Sequence, residues 1–121
     1  MKDTFYLYKS GRKDKKLMMR MGEPYNHSHH FGSRDMRDRT LINNKNSKFY
    51  EDDDKERKRI IQGYKNRHRT DNIDDVHSPG ALSWYILWGA DTLADGIKEY
   101  EKRFKVNVID KTDIVYKKNM K

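Results

Sequence analysis

One stretch constrains this chain more than any other. SPGALSWYILWG, Ser78 to Gly89, carries no charge in a sequence that is 38% charged, and it holds both tryptophans. Only 34% of the residues are hydrophobic, so there is little else from which to build a core. Apolar burial drives folding, so this run must supply much of the interior. It is too short to cross a bilayer, which takes about 20 apolar residues. Ser78 can cap a helix with Pro79 at its first position. An all-round apolar helix is predicted over 80–88, with Gly89 placed to end it. Trp84 to Trp88 are consecutive large residues that cannot all face inward on one helix. At least one of Trp84, Tyr85 and Trp88 is therefore expected to remain for a partner.

The flanking sequence supplies partners for that run. Leu93, Ile97, Tyr100 and Phe104 recur at helical spacing and predict an amphipathic helix over 92–104, capped by Asp91 or Thr92. Upstream, acids Glu51 to Asp54 precede KERKRIIQGYKNRHR, the order that suits a helix macrodipole. A helix is predicted over 52–68, with a narrow apolar stripe of Ile60, Ile61 and Tyr64. TFYLYK (4–9), LMMRM (17–21) and YNHSHHF (25–31) read as strands, the first two joined by the polar turn SGRKDKK. Gly22-Glu23-Pro24 breaks the chain between the second and third. The tail after Phe104 has strand propensity at Val106, Val108 and Ile114 to Tyr116. It is read as an extended arm or as a hairpin across 110–113. The fold class is α+β: a small N-terminal antiparallel β-hairpin or three-strand element, about three helices and an extended or β tail. The segments are 1–31, 32–51 (a polar loop), 52–104 (a helical core) and 105–121.

Net charge is +8, from 27 basic and 19 acidic residues. Most of the excess lies in residues 1–50, a field that attracts nucleic acid, anionic lipid or acidic protein. Arg12, Lys13, Lys15 and Lys16 in the first turn, then Arg34, Arg37 and Arg39, are the candidate nucleic-acid contacts. Arg57, Arg67, Arg69 and Tyr64, with the aromatic run, are candidate protein contacts, because acids are interspersed among these bases. Cysteine is absent, which excludes disulfides and thiolate chemistry. Residues 1–20 lack the apolar run of a secretory leader, so no signal peptide is expected there.

No catalytic constellation emerges. His27 and His29 share a strand face beside His30, and His68 or His77 could add a third imidazole. The spacing matches no known metal motif, so no metal or cofactor is expected. A site assembled from His27, His29, Asp38 and His68 is the weakest reading. Ser78 and Ser83 sit in no nucleophile elbow, and no glycine-rich phosphate loop is present.

Several pieces nevertheless fall in a recognisable order: Phe31-Gly32, then Asp38 and Thr40, then ERKRIIQGYKNRHR, then PGALSWYILWG leading into TLADGIKEYEKRF. This resembles a family of small basic proteins of nucleocytoplasmic large DNA viruses whose biochemistry is unassigned. The likeness covers about residues 31–104 and is most specific from Gly80 to Phe104. Arg39 stands where the family usually has an aromatic residue, Asn43 to Tyr50 look like an insertion, and the tail is longer than usual. The resemblance implies a viral protein made in the host cytoplasm and carried in the virion. It implies no activity. The expectation is a non-enzymatic minor capsid or cement protein that bridges neighbouring capsid proteins, oligomeric within an assembly. The alternative is a basic nucleic-acid-binding virion protein for genome packaging or condensation.

Overall fold

The computed structural model describes residues 2–22 and 26–117. Glu23, Pro24 and Tyr25, where a chain break and the start of a strand were expected, lie outside the described residues. Strands β1 (Thr4–Lys9), β2 (Lys15–Met21) and β3 (His27–Ser33) pair antiparallel in chain order. Their sequence alternates, and the alternation sorts the side chains by face. Phe5 opposes Met21, Leu7 opposes Met19, and Leu17 opposes Phe31, all of them buried. This face meets Leu82, Ile86, Leu87, Ile97 and Tyr100 in one hydrophobic core. On the other face Tyr8 and Met18 are paired and buried, with the Tyr116 ring edge-on to Tyr8 at 5.4 Å.

The α+β expectation holds, with three differences. The polar segment 32–51 contains a short helix, α1 (Arg39–Ile42), whose Ile42 is fully buried. The helix expected over 80–88 divides: α3 (Pro79–Leu82) runs into a π-helical segment, Ser83–Leu87. There the Trp88 amide donates to the Ser83 carbonyl at 3.1 Å, a wider turn than an α-helix makes. Widening is a physical answer to a run of large side chains. It turns Ile86, Leu87 and Trp88 inward and leaves Trp84 and Tyr85 half-buried. The third difference is the tail. It is neither a free arm nor a hairpin across 110–113, but a long strand, β4 (Asn107–Val115), parallel to β1, giving the order β3-β2-β1-β4. Parallel pairing needs a crossover, and the helices between β3 and β4 provide it.

Helices α2 (Asp54–His68) and α4 (Leu93–Phe104) lie close to their predicted bounds. Thr92 caps α4 by accepting from the Asp95 amide, and Ser78 caps α3 by accepting from the Gly80 amide. Gly96 lets α4 lie directly on the π segment: a Cβ there would collide with the Ile86 carbonyl. Tyr100 is fully buried and donates its hydroxyl to the Val76 carbonyl at 2.8 Å. Residues from Phe5 to Val106 contribute to this one core, so segments 1–31 and 52–104 are built on each other.

Candidate functional site

The charge-free run reaches the surface through a stack of rings. Trp88 lies face to face with Tyr64 of α2, centroids 4.1 Å apart and planes 3° apart. His68, one turn on, stacks on Tyr64 at 4.4 Å. Tyr64 and Trp88 are both buried, so neither is open to a protein partner as the sequence suggested. Trp84 and Tyr85 keep partial exposure. Burial and the nearby Asp71 charge push the Tyr64 phenol well above its ordinary range, so it stays protonated as a hydrogen-bond donor.

Beside the stack lies a buried ion pair. Asp38 is 1% exposed. One of its oxygens accepts from Lys16 Nζ at 2.6 Å, and the other from the Thr40 hydroxyl at 2.6 Å and the Leu41 amide at 3.1 Å. The carboxylate therefore caps α1 and ties it to β2. Gly32 follows on β3 at φ +77°, where a Cβ would meet Leu87 Cδ1 at 2.7 Å. The motif order Phe31-Gly32, Asp38-x-Thr40 is thus explained by backbone conformation, close packing and a satisfied buried charge.

These elements enclose a cleft of about 330 Å³. Its lining brings together Phe31 and Gly32 from β3, Asp38, Tyr64, Arg67 and His68 from α2, and Gly80, Ser83 and Trp88 from the apolar run. They come from three of the segments that carry the order noted in the sequence, whereas Thr40 and the block from Thr92 to Phe104 lie outside the lining. Lys15, Lys16 and Arg37 join them. Two of the cleft's bases have acidic partners, Lys16 on Asp38 and His68 Nδ1 on Asp71 at 2.8 Å. Lys15, Arg37 and Arg67 are in no ion pair among the described residues.

The other predicted basic contacts are largely engaged. Arg12 pairs with Asp14 at 3.1 Å, and Arg39 with Asp91 at 2.7 Å. Arg34 donates to the carbonyls of Ser10, Arg12 and Lys15 and fastens the β1–β2 turn. Arg57 donates to the Glu51 carbonyl and pairs with Asp54, and Arg69 donates to Asn66. Lys13 is exposed. Of the seven bases expected to form a nucleic-acid surface, Arg12, Lys16, Arg34 and Arg39 are thus engaged within the fold, and Lys13, Lys15 and Arg37 are in no ion pair among the described residues.

The histidines form a separate group. His27 and His29 lie on one face of β3, as the alternation indicated, and His77 packs against both, with ring centroids 5.5 to 5.9 Å apart among the three. His68 sits with Tyr64, away from them. The set His27, His29, Asp38 and His68 thus divides between the cluster and the cleft. Among the described residues, no group of three or more His, Cys, Asp or Glu is arranged to hold a metal ion.

A second exposed feature was hidden from sequence reasoning. β4 ends the sheet, with no further strand on its outer side among the described residues, although its Val108 amide donates to Glu101 and its Thr112 amide to Asp110. Ile109, Ile114 and Val115 on it are 43%, 39% and 46% exposed. Once the tail is known to be a strand, these residues mark apolar positions on a terminal strand, separated by the charged stretch Asp110 to Asp113. Among the described residues no helix is long and apolar enough to cross a membrane. Compared with models of protein families, with curated proteins and with solved structures, the chain matches none.

Proposed function

We propose that this protein is a non-enzymatic structural component of a large DNA virus particle, a minor capsid or cement protein that bridges neighbouring capsid proteins. The observation that carries the reading is β4 as the terminal strand of the sheet, bearing exposed Ile109, Ile114 and Val115. A terminal strand with exposed apolar side chains is a template for another chain's strand, and on β4 the apolar residues stand on either side of the charged stretch Asp110 to Asp113 and its register shift. The partner is an extended segment of another virion protein, joined by backbone hydrogen bonds and these side chains. The viral setting comes from the resemblance over residues 31–104, and with it a site of action in the virion and assembly in the host cytoplasm. Half-buried Trp84 and Tyr85 offer a second contact of the kind enriched at interfaces.

Charge on β4 tests this. Ile109→Lys with Ile114→Lys places two cations on the edge without touching the core. The double variant is expected to melt within a few degrees of the parent yet to lose co-assembly with capsid proteins by about tenfold or more. Co-assembly at the parent level would overturn the reading.

Nucleic-acid binding is the second reading, supported by the net charge of +8. It ranks below the first because Arg12, Lys16, Arg34 and Arg39 are engaged within the fold. Titration with duplex and single-stranded DNA at several salt concentrations separates the two. Micromolar binding with a steep salt slope reverses their order.

A further inference from the structure

We propose that the cleft between β3, α2 and the Pro79–Trp88 segment binds a nucleoside monophosphate. Three kinds of lining meet there. Lys15, Arg37 and Arg67 are cations in no ion pair among the described residues, whereas the acids Asp38 and Asp71 are already bound to Lys16 and His68. The surplus is therefore positive, and it favours a phosphate group, for which arginine has matched donor geometry. Ser33, Ser83 and the Tyr64 phenol bring neutral hydroxyls, the chemistry that a ribose meets. Met36 is 62% exposed at the rim, and His68 ends the ring stack with its side chain 39% exposed. They give an apolar and an aromatic face for a flat base.

Size narrows the choice. The cleft lies near the lower end of small-ligand sites, roughly 300 to 1,000 Å³. It admits one nucleotide. A long polynucleotide would need a basic track of open donors, and Arg12, Arg34 and Arg39 are engaged by Asp14, by the carbonyls of Ser10, Arg12 and Lys15, and by Asp91. The site lies apart from the β4 edge, so it stands or falls independently of the docking reading.

Calorimetric titration of the full chain at about 0.15 M salt tests the proposal. The probes are adenosine monophosphate, adenosine and inorganic phosphate. The monophosphate is expected to bind saturably at one site, and adenosine about tenfold or more weakly. Inorganic phosphate is expected to compete. Arg37→Gln with Arg67→Gln should weaken the monophosphate at least about tenfold, since two charge-assisted contacts are lost. Both arginines are exposed, so the double variant should keep its melting temperature. Lys48→Gln with Lys98→Gln removes the same charge from exposed positions elsewhere and should change affinity less than about twofold. No saturable binding, equal affinity for adenosine, or equal weakening by the two double variants would each overturn the proposal. The last result would mean diffuse attraction by net charge.

Discussion

Tyr64 and Trp88 stack with their planes 3° apart and their centroids at 4.1 Å, and this contact holds α2 against the charge-free run. α2 is mostly charged, and Ile60 and Tyr64 are its buried residues. Much of its attachment therefore rests on one ring pair, which also walls the cleft.

Removing the indole should therefore be felt globally. Trp88→Ala is expected to destabilise by about 3–5 kcal/mol, the range for large aromatic truncations in a core. Tyr64→Phe keeps the ring and should cost about 1 kcal/mol or less. Denaturant unfolding followed by circular dichroism measures both. A Trp88→Ala protein as stable as the parent would contradict the role given to the stack.

Gly96 should tolerate no side chain. Its missing Cβ is the space occupied by the Ile86 carbonyl, which is backbone and cannot turn aside. Gly96→Ala would raise intrinsic helix propensity by about 1 kcal/mol, yet it is expected to destabilise by about 1–3 kcal/mol through overpacking. A rise in melting temperature would show that α4 does not sit on the π segment at this distance.

The Asp38–Lys16 pair predicts asymmetric effects. Asp38→Ala strands Lys16 and removes the α1 cap, and should cost about 3–5 kcal/mol. Lys16→Met leaves the carboxylate its Thr40 and Leu41 donors and should cost less. The double variant should cost less than the two single losses added together, by about 1–3 kcal/mol. Additive losses would mean the pair is not coupled.

What was legible in the sequence was local. Ser78 and Thr92 announce their helices because capping depends on a few neighbouring atoms. The Leu93–Phe104 stripe and the alternation through His27, His29 and Phe31 fix faces by period alone. What was missed depends on distance along the chain. β4 pairs with β1 across nearly the whole sequence, and no neighbouring residue signals which strand it will join. The inward turn of Trp88 depends on a π-helical widening that helical periodicity does not foresee. The motif residues were visible one by one, but their convergence on a cleft required the fold that brings α2, β3 and the apolar run to its walls.

Acid should loosen the β3 edge. Burial first, and then the charges of His77 and His27, hold the His29 imidazole below its ordinary 6.5, while Asp75 opposes and His30 adds to the effect. His30 is lowered too, first by burial and then by Arg12. A lowered folded value means that the unfolded chain takes up protons first as pH falls. Stability from these groups is full above pH 6.5 and declines below it, towards the lowered folded values. His29→Gln should flatten the fall in melting temperature between pH 7 and 5. An unchanged slope in that variant would assign the acid sensitivity elsewhere.

The β4 edge as a bridge between capsid subunits is tested most directly by cross-linking purified empty shells and reading the linked peptides by mass spectrometry. The protein should remain with shells that have lost their genome, and Lys111 on β4 should link to a capsid subunit. Loss of the protein together with the genome, or cross-links that avoid β4, would contradict it.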